Sequence, residues 1–294
     1  MNNHAIHLPQ RRLTLTIVLP AIVYYLVFRY YPVGRTLFLS LTDANLLDPQ
    51  YNFVGLKNFQ ILLTDPEFLQ IIWNTAYYAI VTTVVTTLLA LVLAFLFEAI
   101  QRGGGLLRLI YFLPTITSAI SIATIWIWLY QPRFGFFNQA LRSFGLAPIA
   151  WLNSVQWAMP SLIVMSIWGG VGFATIIFVA GLYGIPDAYA EAAVIDGASA
   201  LQIARLIKLP LLSRVITFNF VTGIIGSFQV FQQVYLMTHG GPLNATRVIA
   251  LQIYDYAFQR LQIGQAASMA FVLFMIVGLL TVIQLRMQRQ NWEL

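Results

Sequence analysis

Six apolar stretches dominate this sequence: Leu13 to Leu39, Ile71 to Phe97, Leu106 to Tyr130, Trp157 to Tyr183, Val215 to Met237 and Gly264 to Leu285. Crossing the hydrocarbon core of a bilayer takes about 20 helical residues, and each stretch meets that length. The expected fold is an all-α membrane protein with six transmembrane helices, so both termini lie on one side. Of the 294 residues, 59% are hydrophobic and 9% are charged. Soluble domains carry about 25% charged residues, so an ordinary soluble enzyme is excluded, as are disordered and collagen-like chains. Arg11 and Arg12 precede the first stretch without a small-residue cleavage site after it, which reads as an uncleaved first transmembrane helix.

The sparse cations orient the bundle. Segments 1–12, 98–108, 184–214 and 286–294 hold nine Lys and Arg in 63 residues, against five in 81 for segments 42–70, 132–156 and 237–263. The excess marks the cytoplasmic side and places both termini there. On the other side, Phe53 to Phe59 and Phe134 to Leu146 are amphipathic and suit the membrane surface. Trp151, Trp157, Tyr30 and Tyr31 fit an interfacial aromatic belt.

The carboxylates all fall outside the apolar stretches: Asp43, Asp48, Asp65, Glu67 and Asp255 on the outer side, Glu98, Asp187, Glu191, Asp196 and Glu293 on the inner. His4, His7 and His239 lie in a tail or a loop. A secondary transporter should hold ion-coupling groups near the midplane, and an intramembrane enzyme a nucleophile with a base at depth; neither pattern is present. There is no cysteine, no metal-ligand spacing and no GxxxxGK[ST] phosphate loop, and Gly103-Gly104-Gly105 reads as a turn. The net charge of +6 comes from scattered residues, which argues against nucleic acid as a partner.

Uncharged polarity is what the apolar stretches do carry. Asn219, Thr222, Gly226, Gln229 and Gln233 recur at helical spacing in the fifth stretch, and Pro114, Thr117, Ser121, Thr124 and Trp128 in the third. Ser161, Ser166 and Trp168 precede Gly169, Gly170 and Gly172 in the fourth. An amide facing hydrocarbon without a partner costs several kcal/mol in order of magnitude, so these faces meet either another helix or an aqueous passage for a polar neutral solute. The glycines suit close helix packing.

Between the fourth and fifth stretches, Pro186, Asp187 and Glu191 open a short helix, Gly197 supplies a bend, and a second helix runs to Lys208 before Pro210. Glu191-Ala192-Ala193, Asp196-Gly197-Ala198 and Ile207-Lys208-Leu209-Pro210 resemble the EAA loop of the membrane subunits of bacterial and archaeal ABC importers. Tyr31-Pro32, Leu39 to Asp43, Phe53 to Phe59, Trp73-Asn74-Thr75, Phe112-Leu113-Pro114 and Val234 to Pro242 extend the resemblance to the carbohydrate-uptake branch, in particular a maltose-type first permease. Two positions depart from the family pattern: Ala204 stands where a bulky aromatic is usual, and His239 where a further glycine is common.

The resemblance implies the type I ABC importer permease fold, with residues 1–294 forming one transmembrane permease domain and 184–212 its cytoplasmic coupling loop. Glu191, Ala192, Ala193, Asp196, Gly197 and Ala198 would couple to a cytoplasmic ATPase subunit, and Asn219, Thr222, Gln229, Gln233, Ser121 and Trp168 would line the substrate pathway. The implied partners are ATPase subunits, a second permease subunit and an extracytoplasmic sugar-binding protein, in a bacterial or archaeal cytoplasmic membrane. This chain would need no cofactor, ATP and Mg residing on the ATPase. Import of an amino acid, phosphate or polyamine is the alternative cargo.

Overall fold

A computed structural model of the chain describes residues 18–48, 50–100 and 104–289. Arg11, Arg12, Leu13, His4, His7, Gly103 and Glu293 lie outside the described residues. Residues 18–40 are helical, passing through a π-helical turn at Leu26–Tyr30 into α1 (Tyr31–Ser40). There follow α2 (Lys57–Thr64), α3 (Pro66–Ala99), α4 (Gly104–Ile116), α5 (Ala119–Leu129), α6 (Phe136–Ser143), α7 (Ala158–Tyr183) and α8 (Asp187–Ile195). The chain continues through α9 (Ala200–Ile203), a π-helical stretch (Ala204–Lys208) and α10 (Leu209–Leu211) to α11 (Ser213–Phe228), α12 (Gln232–Met237), α13 (Ile249–Tyr254) and α14 (Ile263–Arg289).

Among the described residues, α3, α7 and α14 are single helices long and apolar enough to cross a membrane. The third apolar stretch is not one helix. It breaks at Thr117 and Ser118, and α4 and α5 meet at a bend of 97°. Ser118 adopts φ −54° and ψ 132° as the N-cap of α5, and Pro114 inside α4 lacks the N–H that would bond one turn back. Pro114 and Ser121 therefore do not share a helix face, which corrects the stripe expected there. The fifth stretch is interrupted as well. α11 ends at Phe228, Phe231 takes φ −138° and ψ −59°, and α12 starts at Gln232. At 1.5 Å per residue the 16 residues of α11 reach about 24 Å, so α11 alone is shorter than the roughly 30 Å hydrocarbon core.

The chain forms two compact units. One comprises the residues up to Thr64 together with Ile253–Val272; the other comprises Asp65–Gln252 and the residues from Leu273 onward. In the first, the buried Asn58 donates to the Ser40 and Thr42 carbonyls at 2.9 and 2.8 Å. Gly264 lies so close to this turn that a Cβ there would be 2.1 Å from the Thr42 carbonyl oxygen. Asp43 accepts from the backbone N–H and the side-chain amide of Asn52, and these bonds hold its carboxyl below the usual carboxylate range.

The second unit is built on α3, which packs against α7 and α11, while α4 packs on α7. Asp65 caps α3 by accepting from the Glu67 N–H, with Pro66 in the first turn. One core cluster joins Ala90, Ala94 and Phe97 of α3 to Phe178 and Leu182 of α7 and to Leu212. A Cβ at Gly172 would sit 1.9 Å from the Tyr111 carbonyl oxygen, so α4 and α7 touch through backbone at that point. The outward faces of α3 and α4 present Leu88, Leu89, Val92, Leu96, Leu106 and Leu109, exposed apolar side chains that suit lipid.

At one end of this unit Asn74 and Thr75 clamp the segment that follows Gly240-Gly241-Pro242. Asn74 donates to the Asn244 and Arg247 carbonyls at 2.9 and 3.1 Å, and the Thr75 hydroxyl accepts from the Ile249 N–H at 3.0 Å. The wholly buried Asn138 of α6 donates to the Pro132 and Ile149 carbonyls and accepts from the Ile149 N–H and the Trp151 indole. Four bonds on one amide fix this loop.

Candidate cargo cavity and coupling segment

A cavity of about 750 Å³ lies within the second unit, walled by α3, α7, α11 and the break that follows α11. That volume falls in the usual range for small-molecule sites. Asn219, Thr222, Gln229 and Gln233 all line it. A continuous helical face does not bring them together; the chain turns out of α11 at Gln229, and the break (Gln229, Val230, Phe231) and the first turn of α12 (Gln232, Gln233) run along the cavity wall. Interrupted helices at membrane depth are tolerated where the freed backbone lines a cavity. Asn219 also donates to the Ala174 carbonyl at 3.3 Å, so its amide joins α11 to α7 while facing the cavity.

The other two residues expected in the pathway, Ser121 and Trp168, are not among the residues lining this cavity. Ser121 is exposed on α5, past the 97° bend, and is not among the lining residues. Trp168 packs its ring 5.6 Å from that of Trp126, in an aromatic cluster that includes Tyr130, Phe137 and Trp151. In their place the cavity takes residues that periodicity in α11 did not single out: Tyr78, Thr82, Thr83, Thr86 and Thr87 of α3, Thr115 of α4 and Ser166 of α7. The paired threonines four residues apart in α3 were a legible signal, since hydroxyls at that spacing share a face. Tyr78 donates to the Ser166 hydroxyl at 2.7 Å, and Thr115 donates to the Gly169 carbonyl at 3.2 Å.

Residues 184–212 form the segment between α7 and α11. Pro186 is the N-cap of α8 and Asp187 lies in its first turn, where a negative charge complements the helix dipole. The helix ends in a Schellman arrangement: the Ala198 N–H bonds the Ala193 carbonyl at 2.9 Å and the Gly197 N–H bonds that of Val194 at 3.0 Å. Gly197 has φ +82° and nothing within 4 Å of a Cβ built on it, so backbone conformation alone selects glycine. Ser199 and Gln202 close a capping box on α9.

The second helix of this segment is α-helical, then π-helical, then α-helical again, where a single helix ending near Lys208 was expected. It meets α11 at a 65° bend. Leu212, 1% exposed in the core beside Phe178 and Leu182, occupies the bend.

α8 buries none of its residues. Glu191, Ala192, Asp196 and Gly197 are exposed, and Ala193 and Ala198 are half-buried. Beside them stand apolar side chains overlooked in the sequence: Ile195 is 85% exposed, Leu201 77% and Val194 61%. Large apolar groups in a polar loop outside the spans were the signal for them. Behind α8, Glu98, Tyr183, Asp187, Ala200, Ala204 and Lys208 are among the residues lining a second cavity, of about 770 Å³. Lys208 Nζ meets Glu98 Oε1 across it at 2.5 Å. Ala204 contributes little volume to filling this space.

The family model described as "Binding-protein-dependent transport system inner membrane component" matches residues 101–290. The probable ABC transporter permease protein YurN of Bacillus subtilis is 33% identical over 280 residues, covering 94% of this chain and 96% of YurN. The trehalose/maltose transport system permease protein MalF of Thermococcus litoralis is 31% identical over 280 residues, covering 95% of each. In fold, the chain matches one from a bacterial alginate ABC transporter solved with an alginate-bound periplasmic protein, with a TM-score of 0.86 at 22% identity, over 97% of this chain and 96% of that one.

Proposed function

Because this chain belongs to the family of binding-protein-dependent transport system inner membrane components, we propose that it imports a sugar, polyol or oligosaccharide into the cytoplasm as one permease subunit of an ATP-driven transporter. The observation that carries the carbohydrate reading is the 750 Å³ cavity walled by hydroxyls and amides. The likeness to a trehalose/maltose permease over nearly the whole chain supports it.

In this reading the chain crosses the cytoplasmic membrane six times with both termini inside. A second permease subunit completes the passage, and an extracytoplasmic binding protein delivers the cargo. α8 and the start of α9 dock into a cytoplasmic ATPase subunit through exposed apolar side chains, Val194 and Ile195 of α8 and Leu201 of α9, with Glu191 as an ionic partner. ATP and Mg bind on that ATPase. Its closure moves α8 as a rigid body; the second helix of the segment transmits the displacement through the buried Leu212 into α11. α11 ends at the break that lines the cargo cavity, so one element joins the docking surface to the binding wall. Alternating access is then a shift between two packings biased by the nucleotide state of the partner.

The reading is tested by uptake. The importer is assembled with its partner ATPase, second permease and binding protein, and labelled sugars, polyols, amino acids and phosphate are offered. Accumulation of a carbohydrate that stops without ATP is expected; accumulation of an amino acid or phosphate alone would overturn it.

A further inference from the structure

Hydroxyl groups of threonine in these helices find acceptors with regularity. Thr75 donates to the Ile71 carbonyl at 2.7 Å, Thr175 to Val171 at 2.7 Å, Thr222 to Phe218 at 2.7 Å, and Thr83 pairs with Ser227 at 3.3 Å. Among the described residues, two buried threonine hydroxyls do not. The Oγ1 atoms of Thr82 and Thr86 are buried without a hydrogen-bond partner, and Thr82 is 7% exposed. They stand four residues apart in α3, on one helix face, and both line the cargo cavity. A buried hydroxyl without a partner is costly, and here two such groups belong to residues of the cavity wall, where a ligand can supply what is missing.

The rest of the wall narrows the ligand. Among the described residues, no carboxylate, imidazole, ammonium or guanidinium lines the cavity. An anionic cargo would leave water for a wall with no opposite charge to receive it. Gln229, Gln232 and Gln233 present amides, which both donate and accept, as a cargo hydroxyl does. Phe173, Phe218 and Phe231 add apolar ring faces. Hydroxyls that pair with alcohols and amides, apolar C–H faces that lie on rings, and no net charge describe an uncharged polyhydroxylated compound.

We infer that Thr82 and Thr86 are specificity residues of the cargo cavity: their hydroxyls pair with hydroxyl groups of an uncharged polyhydroxylated cargo, and the cavity rejects anionic sugars. This rests on the carbohydrate-import reading and adds to it the charge class of the cargo and two residues that select it.

The experiment is uptake by the complete importer in proteoliposomes, with labelled glucose, sorbitol, maltose, trehalose and raffinose as neutral probes and glucose 6-phosphate and glucuronate as anionic ones. The wild type is compared with the isosteric double variant Thr82→Val/Thr86→Val and the hydroxyl-keeping Thr82→Ser/Thr86→Ser. Co-purification of the ATPase verifies assembly of each. Neutral uptake without anionic uptake is expected, reduced about tenfold by the valine pair for two lost neutral hydrogen bonds and within about twofold of wild type for the serine pair.

Undiminished neutral uptake in the valine variant, or an equal loss in the serine variant, overturns the role of the hydroxyls while carbohydrate import stands. Anionic uptake matching neutral uptake overturns the charge class and likewise leaves carbohydrate import standing. Accumulation of neither class removes the carbohydrate reading and this inference with it.

Discussion

Lys208 reaches back 110 residues to pair with Glu98, so the second helix of the 184–212 segment is held by charge to the C-terminal end of α3, the helix that also supplies one wall of the larger polar cavity. The two side chains are each 22% exposed, which puts the pair between a solvated ion pair and a buried one. Glu98→Gln should weaken this tie by about 1–2 kcal/mol. Uptake is expected to fall about five- to thirtyfold with the ATPase still bound. The reversed pair Glu98→Lys/Lys208→Glu should recover part of the loss. Uptake and ATP turnover measured side by side check this, and wild-type coupling in Glu98→Gln would reduce the pair to a surface contact.

Gly197 is held at φ +82° by the two bonds that end α8. A Cβ there meets no neighbour, so replacement costs backbone strain alone, about 1–2 kcal/mol for alanine. Asparagine tolerates this region better. The expected order of ATPase co-purification is therefore wild type, then Gly197→Asn, then Gly197→Ala, with Gly197→Pro the weakest because proline also removes the N–H that bonds Val194. An unchanged yield across the series would show that α8 does not need this end geometry to dock.

Asn138 makes four hydrogen bonds from a fully buried position. Asn138→Leu keeps the approximate volume and removes all four, leaving the Ile149 N–H and the Trp151 indole among the groups without partners. A loss of about 2–4 kcal/mol in the local stability of the α6 loop is expected. Limited proteolysis of the purified complex should then cut between Phe134 and Leu146 faster than in wild type, with the spans intact.

Replacing Gln229 or Gln233 by Leu should lower uptake or change the order of preferred sugars, because both residues line the cavity, Gln229 in the break after α11 and Gln233 in the first turn of α12. The double variant is expected to be impaired more than either single one. Unaltered uptake of every probe would return the break to a purely structural role.

These outcomes also mark what the sequence could tell. Apolar length and the EAA-type run from Glu191 to Pro210 pointed to membrane helices and a coupling segment, because each is a local pattern. Helix breaks are less legible. Ser118 reads as one more polar residue in a helical stripe, yet its extended ψ turns the chain by 97° and removes Ser121 from the side where it was expected. Gln229 and Gln233 were picked for lying on one helix face; they share the cavity through the loss of that face. Thr82 and Thr86 needed the third dimension, since only the neighbours show that their hydroxyls lack partners.

Gly169 and Gly172, three residues apart in α7, give a matched pair for the last prediction. A Cβ at Gly169 meets nothing within 4 Å, whereas one at Gly172 would lie 1.9 Å from the Tyr111 carbonyl oxygen and 2.7 Å from its carbon. The obstacle at Gly172 is backbone, which cannot rotate aside, so even Gly172→Ala must push α4 away from α7. In lipid, helices associate through close packing rather than through exclusion of water, and the lost contact has no hydrophobic replacement. Gly169→Ala should therefore assemble and transport within about twofold of wild type and gain slightly in helix propensity. Gly172→Ala should lower the thermal midpoint of the purified complex and reduce uptake at least tenfold, and Gly172→Val should fail to assemble. Equal behaviour of the two alanine variants would show that α4 and α7 do not make this backbone contact in the membrane.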